Sequence, residues 1–162
     1  MIVVENKEAL ARIRTRCEKE PFPKLLGIEV LEIKPGYARV AMQFKPEMQN
    51  IFGMLHGGAV FSMLDEAFQL ACNAHGEVAV AQQVSTYFLA AAKPGAFLIA
   101  EAKEVNATRK TALYEVRVFE REGGRVLATA QAMAYRKGGS LPFDEKGDLA
   151  QGPDSNAPGS RQ

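Results

Sequence analysis

The chain has 162 residues, of which 47% are apolar, and a formal net charge of +1. This length and composition fit one soluble globular domain with its own core. The near-neutral charge gives no reason to expect a nucleic acid or an anionic membrane as a partner, because both attract basic proteins. The two cysteines, Cys17 and Cys72, form no Cys-x-x-Cys unit, so we expect reduced thiols in a cytoplasmic protein. The longest apolar stretch is interrupted by Asp65 and Glu66, and no membrane-spanning segment is predicted.

Apolar periodicity and turn residues predict the elements in chain order. An amphipathic helix is expected over residues 4–18, and Pro21 and Pro23 are expected to end it. The elements expected next are strands over 26–33 and 37–44, a loop over 45–56, a helix over 57–73, and strands over 78–89, 96–105, 111–121 and 125–136. This order predicts an α+β fold, with an antiparallel sheet wrapped around one long helix.

The chain is predicted to have three parts. Residues 1–23 form an N-terminal helix and linker, residues 24–137 form the main domain, and residues 138–162 form a flexible tail rich in Gly, Ser, Pro, Asp and Asn. The helix of the main domain is apolar around most of its circumference, so we expect the sheet to wrap it. Small side chains on one face of the last strand would let that helix approach closely: Val126, Ala128, Ala130, Ala132 and Ala134.

A glycine-bearing loop that runs into the long helix is the main functional signal. His56, Gly57 and Gly58 stand at the start of the helix, and Asp65 and Glu66 lie two turns further on. A helix N-terminus offers free backbone N–H groups and a positive dipole end, and glycine lets a ligand oxygen come close to them. A carboxylate within an apolar helix requires a reason, because burying a charge is costly. The pattern predicts an oxyanion-binding turn and a catalytic acid.

The spacing of Gly57 and Asp65 predicts that two chains share each site. Eight residues correspond to about 12 Å along a helix axis. A group that polarises a carbonyl and a group that acts as base or nucleophile must both lie within a few ångströms of one carbon atom. Two helices related by a two-fold axis would bring Gly57 of one chain beside Asp65 of the other.

These features together resemble the hotdog-fold acyl-CoA thioesterases, and most closely their PaaI-like branch, which is linked to phenylacetic acid degradation. The resemblance rests on the order of the elements, on Asn50, on the His56-Gly57-Gly58 turn and on Asp65 nine residues after His56, and it covers roughly residues 24–137. It implies a homodimer assembled into a dimer of dimers, active sites at subunit interfaces, coenzyme A thioesters as substrates, no metal, and no cofactor beyond the coenzyme A of the substrate.

The resemblance and the residue types together suggest roles for the catalytic candidates. The Gly57 N–H would bind the thioester oxygen, and Asp65 of the partner subunit would act as general base or as nucleophile. Asn50 would orient water or the thioester, or would only satisfy its own loop. His56 is expected to shape the turn rather than to act as the base. Glu66 is expected at the surface or an interface, and is the alternative acid if Asp65 is not the catalytic one.

Four further residues are candidates for substrate binding. Gly58 belongs to the glycine turn, and Ser85 resembles a position where related thioesterases carry a hydroxyl near the reacting water, although a strand serine with no such role is equally expected. Arg109 and Lys110 lie in the turn between two strands, where their charges suit the phosphates of coenzyme A.

Two other functions fit the same pattern. One is a non-catalytic acyl-CoA binder or sensor, because a fold does not fix a function. The other is an enoyl-CoA hydratase or dehydratase, which would require a histidine and an acid side by side at the substrate's α and β carbons. Asp65 argues against a pure binder, and the position of His56 at the end of the loop argues against the hydratase. The acyl group itself is not specified, and both aryl-acetyl and medium-chain groups remain open.

Overall fold

The computed structural model describes residues 7–150, which form three helices and a six-stranded sheet. The elements in chain order are α1 (Lys7–Cys17), α2 (Pro21–Leu26), β1 (Glu29–Lys34), β2 (Tyr37–Gln43), α3 (Gly57–Asn73), β3 (Glu77–Phe88), β4 (Phe97–Ala107), β5 (Thr111–Glu120) and β6 (Val126–Ser140), with a short 3-10 turn at Pro46–Met48. All pairings in the sheet are antiparallel, and the strand order is β1-β2-β4-β5-β6-β3.

The core lies between α3 and one face of this sheet. Helix α3 packs mainly against β2 and β4. Its Phe68 ring meets the Tyr114 ring of β5 edge to face, with 5.2 Å between the ring centroids. The small face predicted for β6 is present, because Ala128, Ala130 and Ala132 are all buried. The other side of α3 is only partly covered, and it carries the half-buried side chains of Ser62, Asp65 and Gln69.

The two prolines near the N-terminus begin a helix instead of a linker. Helix α1 already ends at Cys17, and Pro21 and Pro23 lie in the first turn of α2. Proline is favoured there because the first helical N–H groups have no partner within the helix. Gly27 then closes α2 in the left-handed conformation, with a φ of 71°. The strand predicted from residue 26 therefore begins only at Glu29.

The prediction of a flexible tail from residue 138 is wrong for its first part. Strand β6 continues to Ser140, Leu141 is 8% exposed, and Phe143 packs against the core. These apolar side chains are few among many Gly, Pro and Asp residues, which is why composition alone indicated a tail. The remainder of that prediction, residues 151–162, lies outside the described residues.

Residues 141–150, called here the C-terminal segment, dock on α1. The guanidinium of Arg16 donates to the carbonyl oxygen of Gly147 over 3.3 Å, and Lys19 pairs with Asp148 at 2.6 Å. A Cβ atom on Gly147 would lie 2.9 Å from the backbone of Thr15 and Arg16, so glycine is needed for this close approach. The segment and α1 thus form one packed unit beside α3.

Two observations bear on the environment of the protein. No helix within residues 7–150 is both long enough and apolar enough to cross a bilayer. Cys17 and Cys72 are free thiols, as expected from their spacing. The cytoplasmic location stays a prediction.

Candidate active site

The loop before α3 is held by the side chain of Asn50. Its Oδ1 atom accepts the backbone N–H groups of Phe52 at 2.9 Å and Met54 at 3.1 Å. The N–H of His56 then donates to the carbonyl oxygen of Met48 over 2.8 Å, which fixes the first turn of α3. Asn50 was expected either to orient the substrate or to satisfy its own loop, and its oxygen does the latter. Its amide nitrogen forms no hydrogen bond with any residue among 7–150.

His56 caps the helix. Its Nδ1 atom accepts the N–H of Gly58 over 2.8 Å, which satisfies one of the free donors of the first helical turn. A Cβ atom on Gly58 would lie 3.0 Å from that nitrogen, so a larger residue would disturb the cap. The arrangement agrees with the supporting role expected for His56. It also means that the Gly58 N–H, counted among the substrate-binding groups, already has an acceptor within the chain.

The backbone N–H of Gly57 is the open donor of this turn. No acceptor for it is found within the described part of the chain. Its φ is not positive, so the backbone conformation does not demand glycine. An added Cβ would meet only the ring of Phe88, at 3.4 to 3.5 Å. The absence of a side chain therefore leaves room for a ligand atom next to the N–H group.

Asp65 is a half-buried carboxylate without a partner. It makes no hydrogen bond or ion pair with any residue in the range 7–150. Burial raises the pKa of this carboxyl above its ordinary value, and the negative charge of Glu20 raises it further. A carboxylate with a raised pKa and free lone pairs is suited to accept a proton or to attack a carbon atom.

Glu66 differs from its neighbour, and the expectation of a surface position is wrong. It is 6% exposed, its Oε1 atom is buried without a partner in the described chain, and its Oε2 atom accepts the Gln69 amide over 3.3 Å. Burial, followed by the charges of Glu20 and Asp65, raises the pKa of Glu66 to about 8. Successive helix residues point about 100° apart. Glu66 therefore points into the protein interior, while Asp65 faces the cavity beside α3.

Three potential metal ligands lie close together under this helix. The donor atoms of Cys17, Glu20 and Glu66 are within 4.8 Å of one another. The amide nitrogen of Gln69 already donates to both oxygens of Glu20 and to Glu66. The expectation of a protein without metal stays a prediction.

Ser85 lies half-buried on β3. Its hydroxyl oxygen accepts the Gln83 amide over 2.7 Å, and no hydrogen bond joins it to Asp65. Within one chain the structure therefore does not bring these two residues into direct contact.

Arg109 and Lys110 occupy the exposed turn between β4 and β5. The hydroxyl oxygen of Thr108 builds the turn by accepting the N–H groups of Lys110 and Thr111. The ammonium of Lys110 lies 5.8 Å from the centroid of the Tyr135 ring. The Arg109 guanidinium forms no hydrogen bond or ion pair with the described residues. Both cations are thus available to a ligand.

This basic turn and Gly57 lie at opposite ends of one chain. Arg136 donates to the carbonyl oxygen of Thr108 and to Glu77, the first residue of β3, which follows the C-terminal end of α3. Gly57, in contrast, lies beside Phe88, at the last residue of β3. Because β3 has 12 residues, about 40 Å separates the ends of such a strand at most. The basic turn and Gly57 of one chain therefore lie near opposite ends of β3.

Sequence reasoning missed a cavity beside Asp65. Its volume is about 350 Å³, and it lies between α1, the second half of α3, the start of β3 and the C-terminal segment. The only signal for it was the presence of Leu141, Phe143 and Leu149 in a segment that otherwise resembles a tail.

Comparison with known proteins identifies the family. The model of the thioesterase superfamily matches residues 52–127. The acyl-coenzyme A thioesterase PaaI of Escherichia coli K12 is 31% identical over 124 residues, which are 76% of this chain and 88% of that protein. The chain belongs to the thioesterase superfamily. A protein of Archaeoglobus fulgidus with the provisional name of esterase is 43% identical over 119 residues, or 74% of this chain and 77% of that protein.

Solved structures show the same relationship. The E. coli PaaI protein from the phenylacetic acid degradation operon superposes with a TM-score of 0.79 at 29% identity, over 84% of this chain and 98% of that one. A mutant of the phenylacetic acid degradation protein PaaI from Thermus thermophilus gives 0.69 at 35% identity, over 72% and 99%. The predicted hotdog fold, PaaI-like branch and thioesterase class are confirmed.

Proposed function

We propose that this thioesterase hydrolyses acyl-CoA thioesters to a free acid and coenzyme A. The observation that carries the proposal is that one helix presents an unpaired backbone donor, the Gly57 N–H, and an unpaired half-buried carboxylate, Asp65. These are the two groups that acyl transfer requires. The 31% identity to an acyl-coenzyme A thioesterase supports coenzyme A thioesters as the substrate class.

In the proposed reaction, the thioester carbonyl oxygen accepts a hydrogen bond from the Gly57 N–H. Asp65 of the partner subunit either removes a proton from water, which attacks the carbonyl carbon, or attacks that carbon itself to give an anhydride that water then hydrolyses. In both routes the carbonyl oxygen becomes negative in the tetrahedral intermediate, where the N–H group and the helix dipole stabilise it. The carbon–sulfur bond then breaks, and coenzyme A leaves as a thiolate that takes up a proton.

The other residues of the turn support this donor. His56 would hold the first turn of α3 through the Gly58 N–H, and Asn50 would hold the loop in front of it. Gly58 would contribute space rather than a hydrogen bond. The free amide nitrogen of Asn50 would donate to the substrate or to the attacking water.

Two chains are proposed to share each site, because α3 is one uninterrupted helix that keeps Gly57 and Asp65 about 12 Å apart. Strand β3 is 12 residues long and pairs only with β6 among the described strands, so its other edge is open to a second copy. Exposed apolar side chains also surround the start of α3: Ile51, Phe52, Met54, Phe61 and Phe88. Such a patch is typical of an interface. A homodimer, and a dimer of dimers beyond it, stay proposals.

The basic turn is proposed to bind the nucleotide part of coenzyme A. Arg109 and Lys110 lie at the opposite end of the chain from Gly57, and an antiparallel dimer would bring one chain's turn toward the other chain's glycine. Ser85 would contact the substrate or the attacking water only in such a dimer. No cofactor enters this scheme.

Release of free thiol from a panel of acyl-CoA substrates tests the function. Hydrolysis gives one free thiol and one acid for each substrate consumed. A non-catalytic binder would bind acyl-CoA without releasing thiol, and a hydratase would consume enoyl-CoA with the thioester intact. Either of these last two results would refute hydrolysis as the function.

A further inference from the structure

The cavity beside Asp65 has the properties of an apolar binding site. Its walls are largely apolar, with contributions from Ile13 of α1, Phe68 of α3, Val78 of β3 and Leu141 and Phe143 of the C-terminal segment. Its volume of about 350 Å³ is within the range of small-molecule pockets.

Most polar side chains in the cavity lining form hydrogen bonds with the protein, but Asp65 does not. Arg16 bonds to Gly147, Glu20 accepts from Gln69, and Asn73 bonds to the backbone of Ala79. Asp65 is the carboxylate in the lining that accepts no hydrogen bond from a described residue. A ligand here would find apolar walls and, at one point, a reactive carboxylate.

The cavity extends away from Asp65 in one direction. It follows α3 from Asp65 to Asn73, eight residues or about 12 Å, toward the helix C-terminus. A thioester whose carbonyl carbon reacts at Asp65 would therefore direct one of its two substituents into the cavity. The nucleotide-bearing coenzyme A is too large and too polar for it, which leaves the acyl group.

We propose that this cavity binds the acyl group of the substrate, and that the preferred acyl group is a medium-length unbranched chain. This inference rests on the proposed hydrolysis. The cavity runs about 12 Å along α3 from Asp65 to Asn73. Carbon–carbon bonds of about 1.5 Å advance an extended chain by roughly 1.3 Å per carbon, so about eight to ten carbons fit along it. The C-terminal segment sets the length, because Leu141 and Phe143 form part of the wall.

The test compares kcat/KM over saturated acyl-CoA substrates of increasing length and phenylacetyl-CoA. The unmodified protein should prefer chains of roughly eight to ten carbons. Val78→Phe narrows the end of the cavity that is distant from Asp65. It should lower kcat/KM for the preferred chain relative to short chains by at least about tenfold, since each methylene denied burial costs roughly fourfold. Phe143→Ala enlarges the cavity and should shift the preference to longer chains.

Val105→Phe and Phe97→Ala are matched substitutions at exposed residues outside the cavity lining, and they should leave the length profile unchanged. If Val78→Phe does not fold, the shift with Phe143→Ala decides alone. Hydrolysis with a profile that neither variant alters would overturn this inference and leave the proposed function standing. A preference for phenylacetyl-CoA would overturn the proposal that the preferred acyl group is an unbranched chain. Thiol release from no substrate would overturn both the function and this inference.

Discussion

The two ends of α3 are built in opposite ways. At the C-terminal end, Glu104 accepts both the Tyr114 hydroxyl at 2.7 Å and the His75 ring nitrogen at 2.6 Å, so the polar groups satisfy one another. At the N-terminal end, the Gly57 N–H has no acceptor in the described chain, and Phe88 beside it is 57% exposed. Unsatisfied groups cost stability and are kept where a ligand uses them. The contrast indicates that the Glu104 cluster holds the fold, whereas the Gly57 N–H is left free for a ligand.

The largest effect is expected from Asp65→Asn, which keeps the size of the side chain and removes its basicity and nucleophilicity. We expect kcat for acyl-CoA hydrolysis to fall by about 10²- to 10⁴-fold, with the fold and the oligomer unchanged. Glu66→Gln is the matched control, because Glu66 points into the protein interior and does not line the cavity that Asp65 faces. Turnover like that of the unmodified protein in Asp65→Asn, with loss in Glu66→Gln, would move the catalytic role to Glu66.

A second test asks whether the open donor and the carboxylate act across chains. Gly57→Leu should lower kcat by about 10²- to 10³-fold by blocking access to the N–H group. Gly57→Ala should do less, since its Cβ fits at 3.4 Å from Phe88. An equal mixture of Gly57→Leu and Asp65→Asn chains, dissociated and reassembled, should regain roughly a quarter of the unmodified activity, because each mixed dimer has one intact site. Verified mixed oligomers without recovery would place both groups in one chain.

The basic turn at the other end should affect only substrates that carry the nucleotide. Arg109→Ala and Lys110→Ala should raise KM for acyl-CoA by about tenfold with little change in kcat, because they remove phosphate contacts remote from the reaction. KM for short thioesters without the nucleotide should not change. Lys24→Ala, at an exposed position on α2, is the control. Equal damage on both substrate types would show that the turn has a structural role.

The Glu104 cluster at the C-terminal end of α3 should affect stability and not rate. Tyr114→Phe removes the hydroxyl that donates to Glu104 and should lower the free energy of unfolding by about 1 to 2 kcal/mol, as measured by urea denaturation. Ser62→Ala removes an exposed hydrogen bond at the other end of α3 and should cost less than about 0.5 kcal/mol. Both variants should keep kcat/KM. A large rate loss in Tyr114→Phe would contradict a purely structural role of the Glu104 cluster.

The smallest effect is a shift in pH dependence. The Glu20 charge raises the pKa of Asp65, so Glu20→Gln should lower that pKa. Because the ionised carboxylate is the active form, the acidic limb of the kcat/KM profile should move to lower pH. Glu18→Gln, which removes a charge not among the causes of the Asp65 shift, should leave the limb in place. A limb that stays fixed in Glu20→Gln would mean that the profile reports another group.

The sequence predicted the features that depend on residues near one another in the chain, and missed those that depend on contacts between distant residues. The bounds of α3 were predicted because a glycine turn and an apolar period are local signals, and the strands β3 to β6 followed from their alternation. The role of His56 at the turn was also local. The short helix α2 was missed, because proline can end one helix or begin the next.

The sequence by itself determined the fold family and the position of the glycine turn at the start of α3, since both depend on neighbours in the chain or on a repeating pattern. The catalytic role of Asp65 stays a prediction. Only the tertiary structure decided which of the two adjacent carboxylates, Asp65 and Glu66, faces the cavity beside α3. It also showed that residues 141–150 dock on α1 and that a cavity forms between them. These features depend on contacts between residues more than a hundred positions apart. No local pattern encodes such contacts, because burial is set by what packs against a side chain rather than by its neighbours in sequence.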